Sequence, residues 1–285
     1  MFKKIIILFK HIQELLFQLF NFKKLNSIVN IENNGIIYTG QYIDLKNTNF
    51  DNCNKKLALI VKYAENKSGK KITILDVGAN IGIYSIGFAK NHKTKILSFE
   101  PYKKTFEILK TNIKQNKFSN VSIFNFGLLD KNAELMLGPP KHSSTYMYFF
   151  KYFDKYSLGS KTIFTNQNSS SLLTSKFYKG DHLNEINSLD TINIIKIDVE
   201  GSEFAVLKGL EKTIKKHMPI LCIEGNSGYK NQNNDLKSIL NYLLKIGYKK
   251  IIEFSKIDDI NSFNNSLPIN IDYIEFKKST DLLIH

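Results

Sequence analysis

Acidic residues follow three of the short apolar segments that the sequence predicts as β-strands. They are Glu100, Asp198 and Glu224. In an open, mostly parallel sheet, ligands bind beyond the carboxyl ends of the strands, so the three carboxylates should meet at one edge of the sheet. A single acid at a strand end can simply cap the following helix. Three of them at one edge predict a ligand site.

A loop with two glycines follows the first of the predicted strands of this sheet. Its sequence is GANIG at 78–82. Glycines there let backbone N–H groups approach a ligand closely. The loop has Asn80 in place of the middle glycine of the dinucleotide motif G-x-G-x-x-G, and the chain has no G-x-x-x-x-G-K-[ST] loop. Glu100 ends the next strand, where a carboxylate can hold ribose hydroxyls. The two features predict a nucleoside ligand without a large phosphate group.

The chain is strongly basic, with a net charge of +14 over 285 residues. Such a charge favours an anionic partner. However, all 40 basic residues are lysine, and arginine, the usual residue for bidentate recognition of phosphate or guanine, is absent. The composition therefore disfavours a nucleic-acid partner. Two cysteines are too few for a disulfide scaffold and fit a reducing compartment.

Apolar runs of strand length alternate with amphipathic helical segments from residue 56 onward. This alternation predicts an α/β fold with a mostly parallel sheet and helices on both faces. The predicted strands are 71–77, 95–99, 121–126, 192–197, 219–223, 248–254 and 271–276, and the predicted helices are 57–65, 83–90, 105–115, 203–216 and 235–246. A weaker pair of strands is predicted around 35–43.

Two segments fall outside the alternation and set the predicted domain organisation. Residues 1–55 form an N-terminal helix and connector ahead of one domain over 56–285, and 138–189 is an insertion on its acceptor side. The insertion exceeds ordinary connection lengths, and its aromatic residues argue against a disordered linker. We expect a folded cap over the strand ends. Its aromatic residues form either a small satellite core or a surface on which an acceptor stacks.

Residues 1–24 carry apolar residues at helical spacing, and Lys10 interrupts the longest apolar run. That run is too short for a membrane-spanning helix, and no signal-peptide cleavage site is present. An amphipathic helix is predicted instead. It packs on its own domain or on a second subunit, or it lies on an anionic membrane surface. A signal anchor is a third alternative, and the oligomeric state is left open.

Four motifs occur in order over residues 70–226. They are DVGANIGIYS at 76–85, FEP at 99–101, LD at 189–190 and IKIDVEGSE at 195–203. In this combination the chain resembles the FkbM-type S-adenosylmethionine-dependent methyltransferases. Residues 1–55 and most of 138–188 lie outside the resemblance.

The resemblance implies a class I methyltransferase fold, with a seven-stranded sheet whose last strand is antiparallel, and S-adenosylmethionine as the cofactor. The methionine moiety would lie over the loop 78–82, the ribose on Glu100 and the adenine near residues 125–128. The implied cofactor-binding residues are Asp76, Gly78, Ala79, Asn80, Gly82, Glu100, Pro101, Asn125, Gly127 and Leu128.

The resemblance also implies O-methylation of a carbohydrate or glycoconjugate acceptor. We expect the acceptor to be a sugar hydroxyl of a bacterial surface polysaccharide, or of its nucleotide-sugar or lipid-linked precursor. The protein would then work in the cytoplasm, with residues 1–24 in peripheral contact with the inner membrane face. Two alternatives stay open: an RNA or protein methyltransferase, and a pseudo-enzyme that binds the cofactor. DNA amino-methylases usually carry [DNS]-P-P-[YFW] where this chain has DVEG at 198–201, which disfavours nucleic acid.

Methyl transfer to a hydroxyl requires removal of the hydroxyl proton, by a general base or with the help of a divalent metal. The candidate catalytic residues are Asp198, Glu200 and His142, the last in a loop of the insertion. Alternatively, Asp198, Glu224 and Asn226 offer the oxygen ligands that Mg²⁺ prefers. Lys196, inside the strand that ends at Asp198, is expected to pair with an acid.

Overall fold

The computed structural model describes residues 27–46, 48–69, 71–138, 163, 172–225, 236–269 and 280–285. The strands are β1 (Ile28–Asn33), β2 (Ile36–Gln41), β3 (Ile72–Val77), β4 (Thr94–Phe99), β5 (Val121–Phe124), β6 (Gly127–Leu129), β7 (Ala133–Leu137), β8 (Leu173–Lys179), β9 (Ile194–Ile197), β10 (Ile220–Gly225), β11 (Lys250–Glu253), β12 (Leu267–Pro268) and β13 (Thr280–Ile284). The helices are α1 (Tyr42–Lys46), α2 (Phe50–Ser68), α3 (Ile83–Ala89), α4 (Lys103–Gln115), α5 (Asn184–Asn187), α6 (Glu203–Gly209), α7 (Glu211–His217) and α8 (Leu236–Ile246). Short 3₁₀ helices cover Gly180–His182, Phe254–Lys256 and Ile260–Asn265.

The main sheet of the described chain has eight strands in the order β12-β11-β13-β10-β9-β3-β4-β5. The central strands β3, β4, β5, β9 and β10 are parallel. β13 lies between β10 and β11 and runs antiparallel to both. The predicted α/β fold with an antiparallel last strand is therefore confirmed, and the two-residue edge strand β12 is added to the seven expected strands. The strand predicted at 271–276 lies outside the described residues.

The two faces of the main sheet are covered by different helices, because alternate residues of a strand point to opposite sides. In β9, Ile195 and Ile197 belong to the core beneath α6, α7 and α8. Ile194 belongs to the opposite core, beneath α2 and α3. Lys196 shares that second face, where β9 is in register with Asp76 of β3 and Cys222 of β10. A buried lysine and a buried aspartate therefore lie side by side in an otherwise apolar layer.

Several helices differ in extent from the sequence prediction. α2 begins seven residues earlier than predicted (50 against 57), where the Asn49 side chain accepts a hydrogen bond from the Asn52 amide, and it ends at Gly69 in the left-handed conformation. The helix predicted at 203–216 is two helices, α6 and α7. They divide at Gly209, where a Cβ atom would lie 1.9 Å from the carbonyl oxygen of Leu129. The end of α6 therefore packs closely on β6, which only glycine allows at this position.

A second, three-stranded sheet has the order β6-β8-β7, with β8 parallel to β6 and antiparallel to β7. β8 comes from the predicted insertion 138–189, so this part of the insertion is a strand of a small sheet. Asp181, just after β8, ties the sheet to the main domain, because its carboxylate accepts hydrogen bonds from the Lys212 and Thr213 amides of α7. Apart from Gly138, Ile163 and 172–189, the insertion lies outside the described residues.

The N-terminal segment 1–24, with its predicted membrane contact, also lies outside the described residues. No helix within the described ranges is both long enough and apolar enough to cross a membrane.

Candidate functional site

A cleft that opens to solvent lies beyond the carboxyl ends of β3, β4 and β9. Six of the ten predicted cofactor residues line it: Gly78, Asn80, Glu100, Pro101, Gly127 and Leu128. Its described lining includes the carboxylates of Glu100, Asp198 and Glu200 and no lysine. A protein of net charge +14 therefore presents an acidic cleft.

Gly78 is required at its position for two independent reasons. Its φ of +78° lies in the left-handed region, and a Cβ atom there would lie 1.9 Å from the carbonyl oxygen of Asp198. The loop therefore packs directly on the end of β9. On its other side, the amides of Gly78 and Ala79 both donate to the carbonyl oxygen of Phe99, each at 3.0 Å. These contacts hold the loop between β4 and β9.

Glu100 is buried at the edge of the cleft and is held by two backbone donors. One carboxylate oxygen accepts from the Asn80 amide at 2.9 Å and the other from the Tyr102 amide at 2.8 Å. Burial raises the pKa of Glu100 to about 7, although these two N–H donors oppose the shift. Each carboxylate oxygen can accept a further hydrogen bond. The side chain is thus fixed in place with acceptor capacity left for a pair of hydroxyls.

Asn80 presents an unsatisfied polar atom at the same edge. It adopts a φ of +51°, which is uncommon for a residue other than glycine, and its side-chain oxygen is buried with no hydrogen-bond partner among the described residues. A buried acceptor without a donor is costly unless a ligand supplies one. Together with the oriented carboxylate of Glu100, this atom indicates that the cleft fits the nucleoside part of the predicted cofactor.

The other four predicted cofactor residues lie behind the lining. Asp76 is fully buried and accepts a hydrogen bond from the Ser85 hydroxyl. Ala79 is a core residue. Gly82 begins α3, where a Cβ atom would lie 2.6 Å from the side chain of Leu109. The Asn125 side-chain amide donates to the Glu100 carbonyl oxygen at 2.9 Å. In the described structure, all four support the cleft rather than line it.

Asp198 lies at the end of β9 and lines the cleft with a side chain that is 37% exposed. The prediction that Lys196 pairs with an acid is confirmed: its ammonium lies 3.1 Å from the Asp198 carboxylate and 3.6 Å from that of Asp76. It also donates to the carbonyl oxygen of Gly78 at 3.0 Å. Burial lowers the pKa of Lys196, but the neighbouring carboxylates outweigh burial and the net shift is upward. Lys196 therefore remains charged and links the glycine loop to Asp198.

Glu224 lies at the end of β10 and shares a hydrogen bond with Asp198. Burial raises its pKa, and the nearby carboxylates of Asp198 and Glu200 raise it further, so Glu224 tends to keep its proton. The predicted magnesium site gains no support here. Among the described residues, no group of three or more His, Cys, Asp or Glu is arranged to hold a metal ion. Asn226, the third predicted ligand, lies outside the described residues.

Glu200 lines the cleft in a strained turn. Its φ is +53°, and the turn is held by the carboxylate of Glu203, which accepts hydrogen bonds from the amides of Val199 and Gly201. Glu203 is therefore a support for the turn, whereas Glu200 faces the cleft. His142, the third predicted catalytic residue, lies outside the described residues.

Sequence reasoning missed the apolar wall of the cleft. Leu129, Leu137, Ile163 and Phe177 form much of this wall, and all except Leu129 come from the end of β7, from β8 or from the predicted insertion. No chemical motif marks these residues. The alternation of inward and outward residues along β8 is the signal that could have identified Phe177.

A family model described as the methyltransferase FkbM domain matches residues 76–250, which is more than half of the chain. Among curated proteins, the chain is 29% identical over 150 residues to "Methyltransferase 1" of Beauveria bassiana, covering 48% of this chain and 58% of that protein. It is 26% identical over 140 residues to the hexuronic acid methyltransferase AglP of Haloferax volcanii, covering 49% of this chain and 50% of that protein. The chain thus spans between half and three-fifths of the length of these relatives.

Among solved structures, the chain is similar to a methyltransferase FkbM from Methylobacillus flagellatus KT. The identity is 19% and the TM-score is 0.45, and the likeness covers 78% of this chain and 48% of that one.

Proposed function

The chain belongs to the methyltransferase FkbM family, and we propose that it transfers the methyl group of S-adenosylmethionine to a hydroxyl oxygen of a sugar. When bound, this cofactor supplies an electrophilic methyl group on a positively charged sulfur. The name of one relative, a hexuronic acid methyltransferase, supports a sugar acceptor. The remaining support comes from the described residues of the cleft.

The observation that carries the proposal is the geometry of Glu100. Its two carboxylate oxygens are fixed by the Asn80 and Tyr102 amides, and both keep acceptor capacity toward the cleft. A pair of neighbouring hydroxyls, as on an unphosphorylated ribose, matches this arrangement. The unsatisfied side-chain oxygen of Asn80 adds an acceptor beside it.

The charge of the cleft supports a cationic cofactor. Glu100, Asp198 and Glu200 line it, and its described lining holds no lysine. Carboxylates attract a positively charged sulfur and disfavour a phosphate group at the same place. The same property argues against a cleft that tracks a nucleic-acid backbone, because such clefts are lined by basic residues.

Asp198 is assigned as the acceptor of the hydroxyl proton. It lies at the edge of the cleft, partly exposed, with the buried ammonium of Lys196 3.1 Å from its carboxylate. Lys196 also donates a hydrogen bond to the carbonyl oxygen of Gly78, so Asp198 and the loop 78–82 are held at fixed positions relative to each other. Fixed positions of the reacting groups are a major source of rate enhancement.

The test is transfer of labelled methyl from S-adenosylmethionine by the full-length protein into separated sugar-nucleotide, polysaccharide, RNA and protein fractions, each with and without EDTA. We expect label in a carbohydrate fraction. Glu100→Gln should reduce it at least tenfold, whereas Glu107→Gln, a matched change at an exposed position on α4, should not. Label in RNA or protein would overturn the sugar acceptor, and loss of label with EDTA would restore the metal alternative. No label in any fraction, with the cofactor bound, would indicate a pseudo-enzyme.

A further inference from the structure

The outer face of α4 carries a row of lysines. Lys103, Lys110 and Lys114 recur at intervals of seven and four residues, which places them on one side of the helix. Glu107 is the only acidic residue in this part of the sequence. The exposed lysines of α4 and of the turn after it are Lys103, Lys104, Lys110, Lys114 and Lys117. The face therefore has a strong excess of positive charge.

These lysines take no part in the ion pairs of the described chain. On the opposite face of the main sheet, by contrast, the ammonium of Lys215 on α7 lies 2.6 Å from the carboxylate of Glu211. The lysines that form ion pairs among the described residues are Lys56, Lys196, Lys208, Lys215 and Lys256. The α4 row is about 20 Å long, so it presents an extended positive surface to an anionic partner.

Exposed apolar side chains lie beside this row, on the hairpin of β1 and β2. Ile28 is 53% exposed and Ile37 is 37% exposed. The register of the hairpin and the alternation along its strands place both on one face. Thr39 lies on the same face, and its hydroxyl accepts a hydrogen bond from the Gln115 side chain of α4 at 3.1 Å. The apolar face of the hairpin therefore adjoins α4.

The combination of a basic row with exposed apolar side chains suits one kind of partner. Lysines are attracted to anionic lipid headgroups, and apolar side chains enter the boundary between headgroups and acyl chains. From this we propose that α4 and the β1–β2 hairpin form a surface that binds an anionic lipid membrane. The lysines contact the lipid phosphates, and the two isoleucines contact the edge of the acyl layer.

This surface reaches the mouth of the cofactor cleft. α4 begins two residues after Pro101, which lines the cleft. Gly40 of β2 packs on Ile81 of the glycine loop, because a Cβ atom at Gly40 would lie 2.8 Å from that side chain. Ile28 pairs with Gln41, the neighbour of Gly40, so β1 begins at the same end. A membrane bound here would lie beside the cleft, where a lipid-linked sugar could reach it.

Nucleic acid is the other extended polyanion that a row of lysines could bind. Two features favour the membrane. The chain has no arginine, and the described lining of the adjacent cleft is acidic, whereas clefts that follow a nucleic-acid backbone are basic. The exposed isoleucines add contacts that a bilayer can use and a phosphate backbone cannot.

The test measures binding of the full-length protein to sedimenting vesicles of phosphatidylcholine, with and without one-third phosphatidylglycerol. We expect at least tenfold stronger binding to the anionic vesicles. Most of this binding should be lost between about 0.1 M and about 1 M salt, where the Debye length falls from about 10 Å to about 3 Å. The combined variant Lys103→Gln, Lys110→Gln and Lys114→Gln should bind the anionic vesicles at least tenfold more weakly, because three charges leave the surface.

Two further variants separate the position of the charge from its amount. Changing the same three lysines of α4 to arginine keeps the charge and should keep the binding. A matched control removes three charges from exposed positions on α7 and α8, which lie across the main sheet. This control should change vesicle binding less than twofold, and its substitutions are Lys212→Gln, Lys216→Gln and Lys245→Gln.

Several outcomes would overturn the inference. They are equal binding to vesicles with and without phosphatidylglycerol, unchanged binding in the α4 glutamine variant, equal losses in that variant and the matched control, and loss of binding in the arginine variant. A labelled RNA whose binding is lost in the α4 glutamine variant, while vesicle binding is kept, would assign the surface to nucleic acid instead. Vesicle binding requires no methyl transfer, so failure of this inference and failure of the proposed function are separate results.

Discussion

Two cavities meet at Asp198, the cofactor cleft and a small pocket lined by Tyr84, Glu224, Phe254 and Asp281. They are built in opposite ways. In the cofactor cleft, Glu100 has both oxygens bound to backbone amides of its own neighbourhood, and Gly78 is packed against β9. In the second cavity, Glu224 keeps a buried oxygen with no partner in the described chain. The first arrangement fixes a shape for one invariant ligand. The second leaves a buried polar atom without a partner. Affinity for the cofactor should therefore depend on the residues of the cleft and not on those of the second cavity.

Gly78→Ala should have the largest effect, on the cofactor side. The new Cβ would lie 1.9 Å from a backbone oxygen of β9, which must move, and the residue would keep a φ of +78°. We expect loss of measurable cofactor binding and destabilisation of about 3 kcal/mol or more. Gly35→Ala is the matched control, because its φ is +76° and no atom lies within 4 Å of the new Cβ. It should cost about 1 kcal/mol and leave binding intact. Calorimetric titration and urea denaturation measure both. Equal losses in the two variants would refute the packing argument.

Lys56→Met should have the next largest effect, on the side of the second cavity. It would leave the carbonyl oxygens of Phe254, Ser255 and Ile257 without their donor. We expect a loss of about 2–3 kcal/mol in the free energy of unfolding, with cofactor affinity unchanged. Lys55→Met, the exposed neighbour on α2, should lie within about 0.5 kcal/mol of wild type. Cofactor affinity that falls together with stability would show that the two cavities are not independent.

A change of pH should have a smaller effect, again on the cofactor side, where it alters the affinity for S-adenosylmethionine. Burial raises the pKa of Glu100 to about 7, and ribose hydroxyls donate to the ionised form. We therefore expect the dissociation constant of S-adenosylmethionine to rise about tenfold from pH 8 to pH 6, and Glu100→Gln to remove that dependence. Titration calorimetry at a series of pH values measures it. A constant affinity over this interval would contradict the assigned role of Glu100.

Titration of Glu100 should affect the stability of the ligand-free protein in the opposite direction to cofactor affinity: stability should fall, not rise, with increasing pH. Because the pKa of Glu100 is higher in the folded protein than the ordinary value of 4.5, the folded state binds more protons between about pH 4.5 and pH 7. The contribution of Glu100 to the free energy of unfolding should therefore fall as the pH rises through this window. The difference between wild type and Glu100→Gln in urea denaturation isolates this contribution. A contribution that rises with pH would show that the carboxyl is not buried as described.

The contrast between the cavities also explains what the sequence could predict. The loop 78–82 and Glu100 lie within one β-α-β unit, so their spacing along the chain predicts their proximity in space. Asp198 and Glu224 follow from the rule that parallel strands end at one edge. Tyr84, Phe254 and Asp281 come from distant parts of the chain, and Asp281 lies on β13, an antiparallel strand that the sequence pattern does not predict. For Lys196 the sequence predicts only an ion pair with some acid. Its actual partners depend on the register of β3, β9 and β10, which the sequence pattern does not give.

Calorimetric titration of S-adenosylmethionine into the wild type, Glu100→Gln and Asp281→Asn shows which of the two cavities holds the cofactor. If the cleft at Glu100 holds it, Glu100→Gln loses at least tenfold in affinity and Asp281→Asn, opposite Glu224, changes by no more than twofold. Equal losses in the two variants, or a loss confined to Asp281→Asn, would contradict this placement of the cofactor.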